Sequence, residues 1–124
     1  MAFGDIGGPV TELVITCRTK SEGPVDIKKG DAVSLCGNYE ITNDESWADV
    51  FGQALASATT NDTAIPIRVK GVSVYTLATF PAKYLYGKSV LTAPEPGKVF
   101  VCFPKNNTLI VSASPESSEV HVLH

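Results

Sequence analysis

The sequence predicts an all-β domain, a sandwich or a barrel, on three observations. Apolar residues alternate with polar ones in short runs, as with Ile65, Ile67 and Val69 against Pro66, Arg68 and Lys70, which is the period of a strand. Clusters of Gly, Pro and Asn separate those runs at short intervals. Only residues 43–49 and 79–86 depart from the pattern, and each is long enough for one short helical turn or an irregular connection. At 124 residues the chain fits one domain, and a fold of this size buries roughly two thirds of the surface that its unfolded form exposes.

Residues 1–10 are read as an arm. They hold three glycines around the apolar side chains Phe3 and Ile6, too few to offset an ordering cost of about 1–2 kcal/mol per residue, so ordering needs a partner surface. The domain proper spans 11–124. Its first strand runs from Thr11 to Thr19, with Leu13, Ile15 and Cys17 on one face and Val14, Thr16 and Arg18 on the other. After a loop at 20–24, Val25 enters a turn at Lys29-Gly30-Asp31, a strand through Val33 and Leu35, a turn at Gly37-Asn38 and a return through Tyr39 and Ile41. In 43–49, Asp44 is placed to cap a single helical turn carrying Trp47.

The stretch Val50–Tyr75 organises the chain. Gly52, Ala54, Ala56 and Ala58 share one face of an extended segment, with Phe51, Gln53, Leu55 and Ser57 on the other. Thr59 to Asp62 reverse the chain, since Asn and Asp side chains bond their own backbone. In the following strand Pro66 donates no ladder bond and must lie at an edge or face outward. At Gly71 the apolar phase slips so that Val72 and Val74 carry it on, the mark of a β-bulge. Strands follow at 89–92, 98–103, 109–112 and 119–123, separated by Pro94-Glu95-Pro96-Gly97, Lys105-Asn106-Asn107 and the polar loop 114–118. The order of elements after Gly30 echoes that after Gly87, compatible with two similar lobes closing one barrel.

Composition narrows the function. A net charge of −3 with scattered basic residues gives no footprint for nucleic acid. No window approaches a membrane span, and the N-terminus lacks the basic start and apolar run of a signal peptide. The three cysteines, Cys17, Cys36 and Cys102, are widely spaced in apolar settings and fit buried thiols of a protein made in a reducing cytosol. Asn61-Asp62-Thr63 and Asn106-Asn107-Thr108 are then turns rather than glycan acceptors. His121 and His124, spaced to opposite strand faces, and cysteines without ligand spacing predict no metal and no cofactor. Asp26, Asp31, Asp49 and Glu119 sit beside turns, where carboxylates bond local amides, and no nucleophile elbow or phosphate loop is present. Trp47, Tyr39, Tyr75, Tyr84 and Tyr86 are read as core or contact residues before a ligand surface.

Gly30-Asp31-Ala32-Val33, then Val50-Phe51-Gly52-Gln53-Ala54-Leu55-Ala56, a polar turn, Ile65-Pro66-Ile67-Arg68-Val69-Lys70-Gly71-Val72, and then Gly87-Lys88-Ser89-Val90 resemble the small capsid decoration (cement) proteins of tailed bacteriophages. The resemblance spans roughly residues 25–92. The chain departs from that pattern in the 43–49 insertion and at Lys88, where an acidic residue is common. The resemblance implies a small antiparallel β-barrel or β-tulip-like domain with an extended N-terminal arm. It also implies a structural virion protein, made in the host cytoplasm, that binds the major capsid protein on the outside of the head as a homotrimer. Phe3, Ile6, Pro9 and Val10 would form the capsid-binding arm by strand addition, and Gly52, Ala54, Ala56 and Ala58 a candidate subunit contact. Neither nucleic acid nor membrane is an expected partner. Two other classes stay open: a β-rich binding module for a glycan or peptide, as in a head-fibre base, and a small enzyme with a loop carboxylate site.

Overall fold

The computed structural model describes residues 12–79, 85–103 and 106–124. Their regular structure is ten strands and no helix: β1 (Leu13–Thr19), β2 (Ala32–Gly37), β3 (Glu40–Thr42), β4 (Gly52–Ala54), β5 (Ala64–Lys70), β6 (Val72–Thr76), β7 (Ser89–Thr92), β8 (Val99–Cys102), β9 (Leu109–Ser114) and β10 (Glu119–Leu123). Strands β1-β3-β2-β4-β5 close into a barrel. Closure leaves these strands no free sheet edge along their paired length. The barrel is antiparallel except where β3 runs parallel to β1, with Arg18 opposite Glu40. The second half forms a three-stranded sheet, β6-β10-β9, and the pair β7-β8. The all-β barrel is therefore borne out, but the two halves do not close one barrel together, because only β1–β5 contribute to it.

Two cores result. The barrel is filled by Cys17, Ile27, Val33, Ile41, Ala54, Ala58, Ile65 and Ile67. The second core gathers Ala32, Val50, Tyr75, Leu77, Leu85, Val90, Val99, Ile110, Val120 and Val122. Successive strand residues point to opposite faces, so Ala32 and Val33, both fully buried, go to different cores and make β2 a shared wall. β4 completes the wall. Its Gln53 side chain donates to the Gly30 and Val74 carbonyls at 3.2 and 2.8 Å and accepts from Arg68 at 3.2 Å, tying the barrel to β6.

The small-residue face is core, not a subunit contact. Val33 and Ile67 on the flanking strands fill the barrel, so β4 between them has space only for small side chains. Ala54 and Ala58 are buried in the barrel core and Ala56 packs against it. A Cβ added to Gly52 would run into the Arg68 carbonyl and lie 2.7 Å from Ile67 Cγ2. Pro66 faces outward as expected; its carbonyl accepts Leu55 N–H at 3.0 Å, past the last residue of β4, where a missing donor breaks no ladder.

Gly71 has a different role from the one expected. It has φ 119° and is the corner at which the chain leaves the barrel for the second sheet, while a register shift opposite Leu13 and Val14 lies just before it. Across the corner the buried parity does not slip: Ser73 and Tyr75 are buried and Val74 is exposed. The 43–49 segment is not helical either. Trp47 adopts φ 61° and stacks on Phe100, ring centroids 4.7 Å apart and planes within 9°, while Thr92 accepts Trp47 N–H through its carbonyl and Ala48 N–H through its hydroxyl. Leu35 lies beyond the buried part of β2 and is exposed, and Cys36 beside it is exposed too, so of the three cysteines only Cys17 is fully buried.

Candidate functional site

An open groove of about 710 Å³ lies where the barrel meets the second half. Its existence follows from the brevity of β4. That strand pairs with β2 only at Ala32–Gln53 and Val33–Gly52. Before Gly52 the chain peels away toward Asp49, which bridges to Leu91, and β2 and β5 run on without it. Leu35 and Ser34 from β2, Val69 and Lys70 from β5, and Val50 and Phe51 line the gap.

The far bank is the turn at 106–108. Asn106 Oδ1 accepts the Thr108 N–H at 2.9 Å, and Asn106 Nδ2 donates to the Val90 carbonyl at 3.1 Å and to Asp49 Oδ1 at 3.2 Å. Thr108 in turn accepts Val90 N–H, and Ser89 Oγ donates to the Thr108 carbonyl. The turn is thus latched to β7. In the floor, the buried Ser34 hydroxyl has no hydrogen-bond partner among the described residues, a state that costs about 1–3 kcal/mol.

His124 borders the groove and closes the corner at Gly71, donating its N–H to the Gly71 carbonyl at 2.9 Å. Its Nε2 lies 2.8 Å from the Tyr75 hydroxyl. Burial, helped by the Arg68 charge, lowers His124 from its ordinary 6.5 to about 4, and burial pushes the Tyr75 phenol above its ordinary 10. The unfolded chain takes up a proton on His124 as pH falls through 6.5, while the fold resists until about 4. Stability is therefore full above pH 6.5, falls between 6.5 and 4, and levels off below, a loss of roughly 3 kcal/mol from this group. At the alkaline end it falls again above pH 10, where only unfolded Tyr75 gives up its proton. Urea unfolding across pH 4–7 should show a shallower acid slope for His124→Gln than for the parent chain. Equal slopes would remove His124 as the cause.

Three further carboxylates are occupied by nearby donors. Asp31 accepts Lys28 N–H and Asn43 Nδ2, Asp44 accepts Lys20 and Thr42, and Glu119 accepts Ser117 Oγ. The Lys20 ammonium and the Thr42 hydroxyl hold Asp44 below the usual carboxylate range. Among the described residues no group of three or more His, Cys, Asp and Glu could hold a metal ion, and no helix is long and apolar enough to cross a membrane.

The aromatic set is dispersed. Tyr75 is core, Tyr39 projects from the β2–β3 turn, Trp47 stacks on Phe100 and Tyr86 is exposed, while Tyr84 lies outside the described residues. Phe3, Ile6, Pro9 and Val10 also lie outside them. The chain reaches β1 through Glu12, whose carboxylate accepts Arg68 Nε–H at 2.9 Å. The outer face of β6-β10-β9 is a feature the alternation left open. Val74, Leu109, Val111 and Leu123 are each 40–48% exposed there, beside His121, which pairs with Val74 and Ser112. Compared with known proteins, the chain matches no family model and no curated sequence.

Proposed function

We propose that this chain is a structural protein of a virus particle, a capsid decoration or cement protein that binds the outer surface of a tailed-phage head and stabilises the shell. The observation that carries the reading is where the residues of the resemblance fall. Phe51-Gly52-Gln53-Ala54 contains the seam strand between two cores, and Gly30, Gly71 and Gly87 take φ of 98°, 119° and 75° shortly before β2, β6 and β7. One device, a left-handed glycine launching a strand, recurs at these three positions of the likeness, and again outside it at Gly97 before β8.

The surface is consistent with a protein that works by adhesion. The barrel closes its own strands, and the outer face of β6-β10-β9 offers apolar side chains to a partner. With Gly52, Ala54 and Ala58 committed to the barrel core, self-association as a trimer draws on this face instead. The major capsid protein is the other partner, reached by the N-terminal residues, and repetition over many copies multiplies weak contacts.

The test is co-sedimentation with undecorated heads, followed by negative-stain imaging. Pelleting of the protein only in the presence of heads is expected. Protein that stays in the supernatant at saturating head concentration removes the reading, and light scattering that finds only monomers, free and after release from heads, removes the trimer.

A further inference from the structure

The groove carries the chemistry of a strand acceptor. Val33 accepts Phe51 N–H through its carbonyl, so the main-chain groups of Val33 point toward β4. Alternation aims the Leu35 N–H and C=O the same way, two residues past the point where the β2–β4 ladder ends. The main-chain groups of Leu35, past the end of the β2–β4 ladder and beside apolar Val50, Phe51 and Val69, suit an extended peptide, which adds hydrogen bonds along this lip and side chains to the floor.

We propose that the groove seats the N-terminal segment of the same molecule, residues 1–11, as an added strand along β2 at Leu35. The point at which the segment joins the fold favours this occupant. Lys70 lines the groove and is also the β1 partner of Leu13, so the chain enters β1 about one strand spacing, roughly 5 Å, from the groove. Eleven extended residues reach about 36 Å, ample for a groove of this size. The segment brings Phe3, Ile6 and Val10 for the apolar floor, Gly7 and Gly8 where the chain must bend, and Asp5 as an opposite charge to Lys70.

Tethering makes weak contacts sufficient. A short linker holds the segment at a millimolar effective concentration, so an affinity of only ~0.1 mM for the groove gives about ten docked molecules for each undocked one. This inference goes beyond particle binding and stands without it.

Nuclear magnetic resonance on the full chain tests it. The expected result is a set of Overhauser contacts from the Phe3 ring or the Ile6 methyls to Leu35, Val50 and Val69, retained as intramolecular in a mixture of labelled and unlabelled protein. In Phe3→Ser/Ile6→Ser, Leu35 amide exchange should quicken about tenfold, the docking ratio above, while the core amides of Ile67 and Val120 keep their protection. Contacts found only between molecules would give the groove to a second copy and overturn the proposal. So would unchanged Leu35 exchange with no contacts.

Discussion

Gly52→Ala is expected to lower stability by about 3 kcal/mol or more, the upper end of overpacking costs and well above a typical single substitution. The added methyl meets the Arg68 carbonyl and Ile67 Cγ2, and neither can yield. Arg68 is held in the ladder opposite Gln53, and Ile67 is fully buried in the barrel. The alternative is for β4 to move, but β4 is three residues long and walls both cores, so displacing it disturbs the Gln53 bonds to Gly30 and Val74 as well. Gly30→Ala is the matched control. It has φ 98° and nothing within 4 Å of an added Cβ, so only the left-handed backbone strain of about 1–2 kcal/mol remains. Urea unfolding should place Gly52→Ala clearly below Gly30→Ala. Equal midpoints would show that β4 can shift freely and that the seam argument fails.

Much of the fold was legible because turn chemistry is local. Pro94 to Gly97, Asn106-Asn107 and 114–118 separate β7 to β10 where expected, and Asp62 at φ 50° confirms the reversal at 59–62. Periodicity, however, gives parity without saying which parity is buried. At β6 it favoured Val72 and Val74, yet Ser73 and Tyr75 turn inward, because Tyr75 fills the second core and reaches His124. Alternation also fails on a wall between two cores, where Ala32, Val33 and Ser34 are all buried. Trp47 takes its left-handed backbone in a segment bound to Thr92, with its ring on Phe100, and both partners are more than 40 positions away, outside any local window. The groove was invisible for the same reason: its lining comes from five separate stretches, and only the Asn106-Asn107-Thr108 turn had a signature of its own.

Deleting residues 2–9 is expected to weaken attachment to heads by up to about tenfold per copy while leaving the fold of residues 12–124 intact. Burying Phe3 on the shell contributes about 1.5–3 kcal/mol, of which release from the groove takes back about 1.4 kcal/mol. The two cores gather ten and eight buried side chains among the described residues, and Glu12, which anchors β1 to Arg68, is retained. Loss of a tenfold docking preference for the groove removes only about 1.4 kcal/mol, a shift of several degrees in Tm. Binding isotherms on heads, read beside thermal unfolding of both chains, separate the roles. If the shortened chain unfolds outright, the segment belongs to a core; if it decorates heads as tightly as the full chain, attachment resides in the sheet face of β6-β10-β9, and Val74→Asp or Leu109→Asp there, rather than any change at Phe3, would then abolish it.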